Sequence, residues 1–251
     1  MNFKELKQFL DFKADFYENP DFIESDPIQI PHRFDKKQDI EIAAFFSALL
    51  AWGNRKMIIR NASRLMELMD NSPYDFITNH KESDLSRFEG FVHRTFNEID
   101  LLYYIHSLKS IYSEFGGLEK QFDNSQDLNI QIHNFKKLFM SFDAPLRSGK
   151  HLGDPKKGSA AKRIHMFLRW MVRSGDKGVD FGIWKEVNPS QLYCPLDIHS
   201  GNVARKLKLL DRKQNDQKAL QELSLALKKL DPKDPVKYDF ALFGLGVFEK
   251  F

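Results

Sequence analysis

The stretch IAAFFSALLAW, residues 42–52, is apolar on nearly every face of a helix. A surface helix shows one apolar stripe, whereas a helix apolar all round belongs at the centre of a core. Asp39 stands where it can cap this helix, and Gly53 stands where it can stop it. Outward from this centre, apolar residues recur at helical spacing and strand-like alternation is scarce. Helices are expected over 3–16, 56–69, 99–114 and 129–141, then after Ser159, and over 198–210, 217–230 and 236–247. Asp234-Pro235 supplies a cap and a first-turn proline for the last of these. The pattern predicts an all-α fold, one large domain or two lobes around a shared cleft, with an N-terminal helical extension over 1–38 and a main domain over 39–251. Insertion loops are expected at 147–159 and 174–195.

The chain has 251 residues, long enough for two lobes around a cleft, and 23 of them are Phe, so a large core can be built. Its one cysteine, Cys194, excludes an internal disulfide and any four-cysteine cluster. No apolar run approaches a membrane span and the first ten residues are no signal sequence, so a cytoplasmic location is expected. The eight histidines form no HExxH or HxH pattern, and neither a metal nor another cofactor is expected. GDPKKG (153–158) has phosphate-loop glycine spacing, but Ser159 stands where the lysine belongs and no strand precedes it.

Net charge is only +3, yet it is unevenly spread. Residues 1–30 carry three Lys against seven acids, whereas 145–213 carry fifteen Lys and Arg against six acids. A basic half is what a phosphate-bearing partner would meet, and equally what a solvated surface looks like. In the helix after Ser159, Lys162, Arg169 and Arg173 fall within ~40° of one another, opposite the stripe of Ile164, Phe167, Leu168 and Met171. They form a cationic ridge, read either as the wet face of a buried helix or as a face turned to phosphate. Asp197, just ahead of a helix, reads by itself as an N-cap.

PLDIH (195–199), followed by a helix carrying Arg205, resembles the Val-Asp-x-His segment of the helix-hairpin-helix family of base-excision DNA glycosylases. FFSALLA (45–51) is similar to the apolar helix that opens that family's core. Gly53, Asn54 and Arg55 stand at its DNA-contacting turn, and GSAAK (158–162) where the hairpin glycine and catalytic lysine fall. DFALFG (239–244) resembles the closing helix. The chain departs from the family in having one hairpin glycine where two are usual, in the wide spacing of Lys162 and Asp197, and in lacking iron–sulfur cysteines. At closer range FVHRTFN (91–97), KRIHMFLRWMVR (162–173), CPLDIHSGNVAR (194–205) and DPVKYDFALFGLGV (234–247) resemble an uncharacterised bacterial family described as a domain of unknown function.

The resemblance implies the two-lobed form of the all-α fold. It also implies a DNA-repair-like hydrolase, and a lyase if Lys162 attacks the sugar, acting on a base extruded from duplex DNA. Asp197 and Lys162 would be catalytic. Asn54, Arg55, Arg169, Arg173, His199 and Arg205 would contact DNA, with His93 and Arg94 as further candidates for a phosphate or base contact or as a structural pair. A non-catalytic nucleic-acid-binding protein would keep the basic ridge without needing both Lys162 and Asp197. A small-molecule enzyme would need a pocket but not the charge asymmetry.

Overall fold

The structure, a computed structural model of the chain, describes residues 1–143 and 145–251. Among them the fold is all-α, with eleven α-helices, short 3₁₀ turns, and one hairpin of two-residue strands. The order is α1 (Phe3–Tyr17), α2 (Asp21–Glu24), α3 (Lys37–Leu50), α4 (Arg55–Leu68), α5 (Pro73–Asn79), β1 (Val92–His93), β2 (Phe96–Asn97), α6 (Glu98–Glu114), α7 (Leu128–Phe139), α8 (Lys162–Val172), α9 (Ile198–Lys206), α10 (Gln217–Leu230) and α11 (Tyr238–Val247). None of these helices is long and apolar enough to cross a membrane.

α3 is central, as its composition demands: every residue from Ile40 to Leu50 is buried. Its buried Glu41 is satisfied by the Tyr112 hydroxyl at 2.8 Å and the Trp184 indole N–H at 2.7 Å. α8 lays its apolar stripe against α3, and Phe167 meets Trp184 edge-on. With α4, α6 and α7 these helices enclose the larger core. A second core joins α1, α9, α10 and α11 through Leu10, Val203, Leu223 and Leu245. The segment 1–38 enters both: Leu10 and Ala14 of α1 lie in the second core, Ile28 and Ile30 in the first. α1 and α11 approach so closely that a Cβ on Gly244 would lie 2.2 Å from the Tyr17 ring.

Several local expectations are corrected. Asp39 lies inside the first turn of α3, where its carboxylate accepts the Tyr74 N–H at 2.8 Å. Ser159 does not cap α8. Its hydroxyl accepts the Ala161 N–H at 3.1 Å, and Ala161 precedes the helix in the left-handed region, at φ 43°. Asp234 gives its carboxylate to Arg173 instead of to the helix after it. α5 and the β1–β2 hairpin were not signalled by the periodicity. α5 is barely two turns long, and the hairpin has one residue pair on each side of an Arg94-Thr95 turn, with Arg94 at φ 56°.

Candidate functional site

A cleft of about 760 Å³ opens between the two cores. Its walls come from the α2–Pro27 segment, the end of α3, the start of α4, the inner side of α8, the turn into α9, and α11. Phe22, Pro27, Trp170, Phe240 and Phe243 make it largely apolar. Such a volume suits a small organic group with a few placed polar contacts.

Lys162 and Asp197 meet at this cleft. The Lys162 Nζ lies 3.0 Å from Asp197 Oδ2, across 35 residues of sequence. The two are brought together by different devices. Lys162 is the first residue of α8, and the turn before it tucks against Gly153. A Cβ there would lie 2.8 Å from the Ala161 Cα, so only glycine lets the two backbones approach. Asp197 is the N-cap of α9 in a capping box. Its Oδ1 accepts the Ser200 N–H at 2.9 Å, and its own N–H donates to the Ser200 hydroxyl at 3.0 Å. Asn215 donates to the Asp197 carbonyl at 2.8 Å. Capping therefore occupies Oδ1, and Oδ2 is turned to Lys162. Burial pushes the Asp197 carboxyl up, but the Lys162 ammonium and the Ser200 N–H and hydroxyl outweigh it and hold it below the usual aspartate range.

The other expected contacts divide sharply. Arg55 and His199 line the cleft, with Arg55 over the Phe243 ring at 5.2 Å and His199 exposed at the start of α9. Asn54 is the N-cap of α4 and accepts the Met57 N–H at 3.2 Å. Arg94 is exposed and stacks on the Trp52 indole at 4.0 Å, at the rim. His93 does not pair with Arg94. It is buried, accepts from the Asn61 amide at Nδ1, and donates from Nε2 to the Trp52 carbonyl at 3.3 Å. Burial pulls its imidazole pKa down, so His93 is a neutral strut under the rim. Arg205 donates to the Arg212 carbonyl at 2.8 Å and to Asn215 at 2.6 Å, so it braces the residue that holds Asp197.

Beyond Lys162, the cationic ridge does not face solvent. Arg169 and Arg173 are 4% and 5% exposed. Arg169 pairs with Asp180 and Asp239, and Arg173 with Glu18, Asp180 and Asp234. Burial opposes charge on Arg173, but Asp234, Asp180 and Glu18 together hold it protonated. These guanidiniums tie α1, the 174–195 segment and α11 to α8. Arg173 donates from Nε, Nη1 and Nη2 to its three carboxylates and has no face to offer a phosphate, whereas Arg169 is bonded through Nε and Nη1. Arg169 reaches the cleft wall only beside its own carboxylates.

Among the cleft residues that carry no functional signal in the sequence are Asp26, Trp52, Lys150 and Thr95. Lys150 is exposed in the 147–159 segment and is one of the fifteen cations of the basic half. Asp26 is 8% exposed and lies in the acidic first thirty residues, where nothing in the sequence marks it for the cleft. The lone cysteine, Cys194, is buried beside Asp239 and its thiol is pushed well up by burial, which makes it inert.

Residues 26–248 match the model of a family described as "Protein of unknown function (DUF2400)". No curated protein and no solved structure matches the chain.

Proposed function

The chain belongs to the DUF2400 family, whose description assigns no activity, and from the site together with the motif resemblance we propose that it is a DNA-repair-like N-glycosylase acting on a nucleotide extruded from duplex DNA. The observation that carries this reading is the Lys162–Asp197 pair at 3.0 Å, set on the wall of an apolar cleft. The two residues are those that the resemblance to helix-hairpin-helix glycosylases singles out.

An N-glycosidic bond breaks through a sugar that carries positive charge, and a fixed carboxylate stabilises that charge as it develops. Asp197 suits the task because its environment keeps it ionised and its capping bonds fix its direction. Lys162 is engaged in the ion pair, and an ammonium has no lone pair with which to attack the sugar. The arrangement therefore favours release of the base by water over a lysine adduct, with Lys162 orienting Asp197. A base within the stack is out of reach of such a cleft, so extrusion is required. Exposed Trp52 and Arg94, with Arg55 and Lys150, stand at the mouth, where an aromatic ring can fill the gap in the stack and cations can hold the flanking phosphates.

Duplexes each carrying one damaged base, scored for base release, test the reading. Release of at least one base is expected, with no adduct trapped by borohydride. A stable borohydride adduct lost in Lys162→Gln would replace the water route by a lyase. Release from no duplex would overturn the glycosylase reading, and DNA binding that is absent or indifferent to salt would overturn the nucleic-acid partner as well.

A further inference from the structure

Three carboxyls line the cleft, and two have cationic partners: Asp197 with Lys162 and Asp239 with Arg169. Asp26 forms no ion pair among the described residues. Its Oδ1 accepts the Ile28 N–H at 3.1 Å as the cap of the Pro27–Gln29 turn, and its other oxygen has no protein partner. It sits among Phe22, Pro27 and Trp170 on the apolar wall. The Trp170 indole N–H on that wall is likewise buried without a partner. A buried polar group that nothing in the protein satisfies costs stability, and where it lines a cleft a ligand can satisfy it.

We infer that Asp26 is the acid of this site, donating its proton to an acceptor nitrogen of a neutral base while the Lys162–Asp197 pair faces the sugar. This rests on the glycosylase reading and adds the substrate class to it. Burial raises the Asp26 carboxyl, and the Ile28 N–H, Arg169, Arg55 and Lys162 only partly offset that rise. Two carboxyls in one cleft are thus pushed apart, one toward the acid form and one toward the anion, which is how an acid and a charge stabiliser are separated at one pH. As the bond from the anomeric carbon to the base nitrogen breaks, its electron pair leaves with the base, which takes the Asp26 proton. Water adds to the anomeric carbon and yields a proton to Asp197, and exchange with solvent returns one proton to Asp26 and removes one from Asp197. A neutral purine needs that proton to leave. A cationic N-alkylated purine already carries its charge and does not.

Single-turnover release of hypoxanthine and of 7-methylguanine from matched duplexes, measured across pH, tests the assignment. Asn also caps the Pro27–Gln29 turn, so Asp26→Asn keeps that hydrogen bond. In Asp26→Asn, hypoxanthine release is expected to slow by ~10²–10³-fold and to lose its fall at high pH, while 7-methylguanine release slows far less. The charges facing Asp26 are Arg55 of α4 and Lys162 and Arg169 of α8, so Asp26→Glu should return part of the rate and the pH limb. Equal slowing of both bases, or an unchanged hypoxanthine rate and profile, overturns the acid while leaving the glycosylase reading in place. No release of any base by the wild type overturns both. Should Asp26→Asn fail to fold, carbon-13 titration of the wild-type carboxyls decides. Asp26 is expected to titrate above Asp197, and titration with or below it overturns the acid.

Discussion

Lys162, Arg169 and Arg173 hang from one face of α8, yet they end in two different electrostatic settings. Lys162 has one partner, on the cleft wall. Arg169 and Arg173 are enclosed by Glu18, Asp180, Asp234 and Asp239 and are almost fully buried. A single pair beside an open cavity can exchange its protein partner for a ligand. A buried network in which each cation already holds two or three carboxylates cannot, because every departing carboxylate would leave buried charge behind. The helix face is therefore half site and half scaffold, and the boundary lies between the first turn of α8 and its third. The scaffold half also fixes the site half, since it clamps α11, which forms part of the cleft wall.

The sharpest way to break this division is to cut the scaffold. Arg173→Ala leaves Glu18 buried without its hydrogen-bonded cation and Asp180 with Arg169 alone, and a loss of about 3–5 kcal/mol in urea unfolding is expected. A loss below about 1 kcal/mol would mean that the network is a surface feature and that the ridge is open to phosphate after all. Replacement of Arg169 or Arg173 by Glu tests folding, not binding.

Asp197→Asn cuts the other half. Asn still caps α9, so the helix persists, while base release is expected to fall by ~10²–10⁴-fold because the amide carries no charge and takes no proton. Full activity in this variant on the best substrate would remove Asp197 from the chemistry and leave it as a cap only.

The open cations at the mouth give a smaller effect. If Arg55 and Lys150 each meet one phosphate, replacing either by Ala should flatten the log–log salt dependence of duplex binding by about 0.9. An unchanged slope in both variants would move the DNA contact away from this cleft.

The two halves were unequally legible in the sequence, for a physical reason. Helix content follows local periodicity, so α3 could be read as central from IAAFFSALLAW, and α10 was expected over the same residues, 217–230, that it occupies. The Lys162 and Asp197 positions were visible through motif resemblance, but their 3.0 Å approach was not, since it depends on the Gly153–Ala161 contact and the α9 capping box. The ridge was misread because charge sign and helical angle are local, whereas the carboxylates that bury Arg173 arrive from as far away as Glu18. Asp26 was invisible for the same reason. Its acidic neighbourhood in sequence says nothing of the apolar cleft wall on which it lies.

The smallest effect is the most specific, because Asp197 and Asp26 should bend the pH dependence of stability in opposite directions. The folded value of Asp197 lies below the ordinary aspartate 3.8, so the folded state binds fewer protons than the unfolded chain through that window. Its contribution is fully present above 3.8 and is lost as pH falls through the folded value. A half-buried pair of this kind is worth about 1–2 kcal/mol, between the surface and buried cases. Wild type should therefore exceed Asp197→Asn by that amount near neutral pH, and the gap should close on acidification below 3.8. For Asp26 the folded value lies above 3.8, so the folded state binds more protons and stability falls as pH rises through the window between the two values. Asp26→Asn removes that loss, and its stability near neutral pH should equal or exceed that of the wild type, with the difference shrinking as pH falls toward 3.8. Urea titrations of the three proteins at stepped pH read both gaps. If the two variants diverge from wild type with the same sign, the cleft carboxyls share one environment, and the separation of an acid from a charge stabiliser is lost.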